Sequence, residues 1–247
     1  MSTYEEEISQ ELKRWQKQMV SKPSGMNKLA AKIQTRLNRW IPEKVHKAIT
    51  TTIKQMVRAV LFGAKLTTKE VQTDKNLEIR EAIIQERINF YKKTAAAEGG
   101  ITGAGGILLG LADFPILMGI KLKLLFEIAV IYGYSVKDYK ERIYILYIFQ
   151  LAFSSHEKRK EVYLRMLNWE KDYINLPEDI NEFDWRTFQQ EYRDYIDLAK
   201  MAQLIPIIGA PVGAVVNYGL IKKLGKTAMN AYRMREPAIE KRILLRE

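Results

Sequence analysis

The sequence contains no cysteine and only two histidines among 247 residues. Without thiols there is neither a disulfide framework nor a thiolate zinc site, and two isolated histidines are too few for a metal cluster. No metal and no cofactor is therefore expected, and a reducing compartment fits. A secretory leader is missing as well: the chain opens MSTYEEEISQELKRW, acidic and then amphipathic, which predicts a cytoplasmic start. Uninterrupted apolar runs of about 18 residues, the length a membrane helix needs, are also lacking. Residues 201–221 carry no charge but hold Gln203, Pro206, Pro211, Asn217 and three glycines, while 99–134 is broken by Asp113, Lys121, Lys123 and Glu127. Both stretches read as buried core helices. An integral membrane subunit, spanning at 99–132 and 201–221, is the alternative.

Strand-like alternation is absent too, and helical periodicity takes its place. Ile8, Leu12, Trp15 and Met19 form one stripe of a helix over residues 4–20, with Glu5, Glu6 and Glu7 where the helix dipole favours acids. A second helix starts near Ser24 with the stripe Leu29, Ile33, Leu37 and Trp40, and a third starts at Pro42 and is closed by Gly63. Residues 64–76 read as a loop and 77–93 as a charged helix. Asp113 and Pro115 fit the cap and first turn of a helix ending at Gly133, and the next helix, starting near Ser135, runs through Phe153. Ser154 and Glu157 have capping-box spacing ahead of HEKRKEVYLRMLNWEKDYI, and a further helix starts near Asp184. The expected fold class is all-α. A single helical domain, 24–247, carries an N-terminal helical arm, 1–23.

Glycine is concentrated rather than plentiful. Gly99, Gly103, Gly106 and Gly110 recur at helical spacing in TAAAEGGITGAGGILLG, and Pro206, Gly209, Gly213 and Asn217 form a second such stripe. Each glycine in a helix interior costs about 1 kcal/mol against alanine, so these faces imply close approach of another backbone. The run lacks both the Walker lysine and the dinucleotide spacing, which argues against phosphate binding.

Cations exceed acids by 40 to 29, a net charge of +11, and 47% apolar residues suffice for a sizeable core. Residues 28–65 hold nine lysines and arginines against the single acid Glu43. Lys28, Lys32, Arg36, Arg39, Lys44 and Lys47, with Trp40 at the apolar edge, make a candidate contact for an anionic membrane. The plainer reading is a solvated helix docked through its stripe, and nucleic acid is the least favoured partner because no binding motif accompanies the charge. Catalytic residues are not nominated. A hydrolase using His156 with Asp113 or Glu98 is an alternative, but no nucleophile elbow exists, and neighbours on one helix start rarely present nucleophile and base to each other. His46 lacks an H-E-x-x-H partner.

The runs AAAEGGITGAGGILLGLADFPILMGIKLKLLFEIAVIYGY at 95–134 and PIIGAPVGAVVNYGLIKKLGKTAMNAYRMR at 206–235, with Ile41-Pro42, resemble the bacterial EcsC family over nearly the whole chain. The tetrapeptide Ala112-Asp113-Phe114-Pro115 and the segment Gly213 to Tyr218 are the most specific matches. Members are typically encoded beside the two subunits of the Ecs ABC exporter. The resemblance thus implies the exporter subunits as partners, and together with the basic surface and the lack of nominated catalytic residues the expected function is a non-enzymatic accessory of that exporter, peripheral at the inner face of the cell membrane.

Overall fold

The computed structural model describes residues 3–21, 43–62, 76–104, 106–196, 210–237 and 239. These are almost wholly helical: α1 (Tyr4–Val20), α2 (Glu43–Phe62), α3 (Leu77–Ala104), α4 (Gly106–Ile131), α5 (Tyr139–Phe153), α6 (His156–Leu167), α7 (Trp169–Asn175), α8 (Trp185–Tyr195) and α9 (Ala210–Arg233). A short 3-10 turn, Ile180–Glu182, precedes α8. The fold class is all-α, and among the described residues the only extended pairing is an isolated bridge between Ser154 and Ile196.

α1 follows its apolar stripe. Ile8, Leu12 and Trp15 are buried, and the Thr3 backbone N–H donates to the Glu6 carboxylate at 3.2 Å, closing the first turn. Trp15 meets Tyr163 of α6 edge-on, so the N-terminal helix packs into the common core. The boundary expected at residues 23–24, the helix from Ser24 and the loop at 64–75 lie outside the described residues.

The centre is a three-helix layer of α3, α4 and α9, in which α9 on α3 is the most extensive interface. The Tyr91 hydroxyl donates to the Glu127 carboxylate at 2.7 Å, so α3 and α4 run antiparallel. α9 runs antiparallel to α3, pairing Ala214 with Gly100 and Gly225 with Ile88. It is therefore parallel to α4, where Asn217 faces Lys121. α5 lies along this layer and is buried on nearly every side, and α2 packs on α4, α5 and α8. The Arg142 guanidinium of α5 donates to the carbonyl of Leu61, near the end of α2, and to those of Val136 and Lys137. One side chain thus ties a helix end to the turn before α5.

Several helix ends differ from expectation. α3 does not stop at Lys93 but continues to Ala104, because Thr94-Ala-Ala-Ala-Glu sustains a helix and packing on α9 offsets the glycines that follow. Asp113 is not an N-cap. Both it and Pro115 lie inside α4, which is already helical from Gly106. An internal proline removes one helical hydrogen bond at about 3 kcal/mol, which is tolerated because Phe114, Leu117 and Met118 around it are buried. Asp138 caps α5 by accepting from the Lys140 N–H at 2.8 Å, three residues beyond the expected start. Ser155, not Ser154, caps α6 through the Lys158 N–H at 3.3 Å. The Ser154 hydroxyl donates back to the Gln150 carbonyl at 2.6 Å instead. Asn168 then divides the expected long helix into α6 and α7.

Candidate functional site

The two ends of the α3–α4–α9 layer are chemically opposite. At one end the chain buries charge in pairs. Arg233 of α9 grips Glu81 of α3 through two hydrogen bonds of 2.8 and 2.6 Å. The Tyr132 and Tyr4 hydroxyls donate to the same carboxylate at 2.8 and 2.7 Å, and Glu11 of α1 reaches Arg233 at 3.1 Å. Burial works against the Arg233 charge, but the hydrogen bonds and charge of Glu81 more than offset it and hold the guanidinium firmly protonated. Burial first, and then Glu81, push the Tyr132 and Tyr4 hydroxyls upward, so they stay neutral donors.

Two residues further on, just past the end of α9, Arg235 donates twice to Glu141 of α5, at 3.1 and 2.9 Å, and lies 3.9 and 4.4 Å from the ring centroids of Tyr134 and Tyr144. Tyr232 donates to Glu141 at 2.8 Å. Arg80 joins Glu236 at 2.9 Å and the Tyr132 carbonyl at 3.0 Å. Five helices, α1, α3, α4, α5 and α9, are locked together here. Cation, acid and ring meet one another, with the Nε atoms of Arg80 and Arg235 left without a hydrogen bond, and the cluster acts as a clamp between helix ends.

The other end is apolar and basic. Lys121 of α4 is fully buried, and its Nζ donates only to the Leu117 carbonyl and the Asn217 Oδ1, both at 3.3 Å. With no carboxylate against it among the described residues, burial pulls the amine down to about 7. Lys123, two residues on, is exposed because a 200° rotation carries it to the opposite face of α4. Around this level the surface is apolar: Ile116 is 53% and Val215 72% exposed. Pro115 is also exposed, and a Cβ on Gly119 or Gly219 would meet nothing within 4 Å.

The residues singled out in the sequence distribute as follows. Lys28, Lys32, Arg36, Arg39, Trp40 and Gly209 lie outside the described residues, and Lys44 lies in the first turn of α2. Lys47 is exposed and aligns with Lys54 and Arg58 in one row along α2, opposite the buried Ile49, Ile53, Val57 and Val60. The apolar stripe of this helix is spent on the core, leaving its basic row outside with Thr51, Gln55 and Ala59. Gly99 and Gly103 belong to α3 but Gly106 and Gly110 to α4, so the expected stripe is split between two antiparallel helices. Gly213 lies in the first turn of α9 and Asn217 on the Lys121 amine.

Small-residue contact is seen one position away from the expected pair, where a Cβ on Gly100 would lie 3.9 Å from the Ala214 Cβ. The tightest point was missed: a Cβ on Gly225 would come within 2.6 Å of the Ile88 side chain. Its signal in the sequence, a glycine within the basic run KKLGK, is indistinguishable from a surface position. His156 opens α6, which packs on α1, α5, α7 and α8, whereas Glu98 and Asp113 belong to α3 and α4.

Among the described residues, no group of His, Cys, Asp and Glu is placed to hold a metal ion, and no helix is long and apolar enough to cross a membrane. Residues 99–132 of the first candidate are divided between α3 and α4, and residues 201–209 of the second lie outside the described residues.

No solved structure matches the chain. Protein EcsC of Bacillus subtilis (strain 168) is 43% identical over 229 residues, 92% of this chain and 94% of that protein. The uncharacterized protein YdbA of the same organism is 30% identical over 196 residues, covering 75% and 69% of the two chains. Residues 6–236 match the EcsC protein family, so the helices that build both the clamp and the basic end are those of the family. With that span and that kinship, the chain belongs to the EcsC protein family.

Proposed function

We propose that the protein is a non-enzymatic accessory of an ABC exporter, working in the cytoplasm and peripherally at the inner face of the cell membrane. The exporter comes from the family resemblance, and the membrane from the distribution of charge. The observation that carries the reading is a row of exposed cations along α2, Lys47, Lys54 and Arg58, on a chain with 40 cations against 29 acids. Lys47, Arg58, Lys93, Lys123 and Lys222 are exposed. Such a surface is attracted to anionic lipid headgroups, at about 1 kcal/mol for each lysine or arginine held close. The basic stretch of Lys28, Lys32, Arg36, Arg39, Lys44 and Lys47, with Trp40, adds to this attraction in our reading. The chain, an arm of 1–23 laid onto a domain of 24–247, then needs neither cofactor nor metal.

The test is fractionation of cells producing the protein with and without the two exporter subunits, followed by affinity capture of the tagged protein. Recovery in the membrane fraction, release by high salt or carbonate, and co-elution of the exporter subunits are the expected results. A protein that stays in the supernatant in both strains and captures neither subunit overturns the proposal. Release by detergent alone would make it an integral subunit.

A further inference from the structure

The exposed residues at the Lys121 end are ordered along the bundle axis. With a rise of about 1.5 Å per residue, Pro115 and Ile116 lie about 8 Å beyond the Lys121–Asn217 level, toward the α3–α4 turn. Val215 and Gly119 lie about 3 Å beyond that level, whereas Tyr218, 42% exposed, sits just behind it. The exposed Lys93, Lys123 and Lys222, with the buried Lys92, follow within about 3–8 Å on the far side. Lys92 lies over the Tyr218 ring at 4.8 Å, joining the aromatic to the basic level.

Apolar, aromatic and basic levels therefore succeed one another within about three helical turns. The exposed residues of these levels include no acid among the described ones, and Glu98 and Asp113 there are half-buried. The adjoining sequences 99–112 and 201–214 hold no charged residue at all. The opposite end is acidic: Glu178, the partner of Lys140 beside the clamp, is 94% exposed, and Asp179, Glu182 and Asp184 follow it on the surface.

We propose that the Lys121 end is a membrane-docking tip, inserted end-on into the headgroup–acyl boundary of an anionic bilayer. Pro115, Ile116 and Val215 enter the apolar boundary, Tyr218 lies at the interface, and the lysines behind it bind lipid phosphates. The ordering is that of a peripheral membrane surface, and the charge is complementary to acidic lipid. The acidic opposite end then faces the cytoplasm, which fixes the orientation electrostatically. This inference rests on the membrane-peripheral reading above and gives it a contact different from the basic stretch at 28–47.

Because the chain has no cysteine, single probes are easily placed. Ile116→Cys, Val215→Cys and, as a distant control, Ile174→Cys are labelled with an environment-sensitive fluorophore. Each is mixed with vesicles of phosphatidylglycerol and phosphatidylcholine, some carrying doxyl-labelled lipid. Labels at 116 and 215 are expected to shift to the blue and be quenched, and the label at 174 to remain unchanged. Replacing Lys93, Lys123 and Lys222 by glutamine is expected to weaken sedimentation with these vesicles about fivefold per residue. Ile116→Asp with Val215→Asp is expected to weaken it further at unchanged far-UV helicity. If the protein sediments but the 116 and 215 labels do not respond, the tip is wrong and the membrane reading stands on the stretch at 28–47. Failure of the unmodified protein to sediment at low salt overturns both. A dimer that forms without vesicles and is dissolved by Ile116→Asp would assign the face to a second copy of the chain and overturn the tip.

Discussion

Arg233 and Lys121 are both buried cations on the central helices, yet they are treated in opposite ways. Arg233 meets Glu81 in a two-pronged pair and Glu11 beside it, whereas among the described residues Lys121 meets only a carbonyl and an amide oxygen. The first arrangement retains charge and converts it into a fixed join between helices. The second holds an amine at the margin of being charged at all, in a region where the neighbouring surface is apolar. Rigidity is thus concentrated at the clamp, and the end proposed to meet lipid is left with weaker polar joins.

Removing one partner at the clamp should show the largest effect. Glu81→Ala leaves Arg233 buried with the half-buried Glu11 as its remaining acid and Asn230 Oδ1 beside it, and a loss of about 3–5 kcal/mol is expected in urea unfolding. Replacing Glu81 and Arg233 together by methionine should recover most of that loss, since the desolvation of both ions disappears with them. If the double variant is as unstable as the single one, packing rather than charge holds this end.

Lys121 sharpens the comparison through pH. Its amine titrates near 7 when folded and near 10.4 in the unfolded chain, so below about pH 7 both states are protonated and the cost of burial is fully present. Between about 7 and 10 the unfolded chain binds the extra proton. Stability should therefore rise with pH, by at most about 1.4 kcal/mol per pH unit from this group. Lys121→Met should remove that slope and be more stable than the parent at pH 6. A slope that survives the substitution would mean that another group is responsible.

The smallest effects separate the two ends by glycine. Gly225→Ala puts a methyl 2.6 Å from Ile88, and the strain, about 1–3 kcal/mol, should exceed the gain in helix propensity and lower the thermal midpoint. Gly119→Ala and Gly219→Ala enter open space and should raise it, by up to about 1 kcal/mol each. Opposite signs at 225 and 219, two turns apart on one helix, would confirm that close approach belongs to the α3–α9 contact near Ile88. Equal signs would break that distinction.

Much of the fold was legible because it depends on short-range periodicity. The helix over residues 4–20 and the helix start after Asp184 follow from stripes and caps that the local sequence encodes. The position of Asp113 and Pro115 inside α4 was not legible. Capping chemistry and a buried helical turn look alike until it is known what packs around Phe114.

The sequence by itself determined that the chain is all-α, basic, free of thiol chemistry and kin to the EcsC family, because composition, periodicity and motif are properties of residues near one another in the chain. Only the tertiary structure decided which charges are paired. Glu81 and Arg233 are 152 residues apart, and Lys121 and Lys123 have like neighbours but opposite fates. The direction in which each side of a helix faces is set by the helices packed against it, so the clamp, the buried lysine and the lysine-ringed end came into view only once α3, α4 and α9 were assembled.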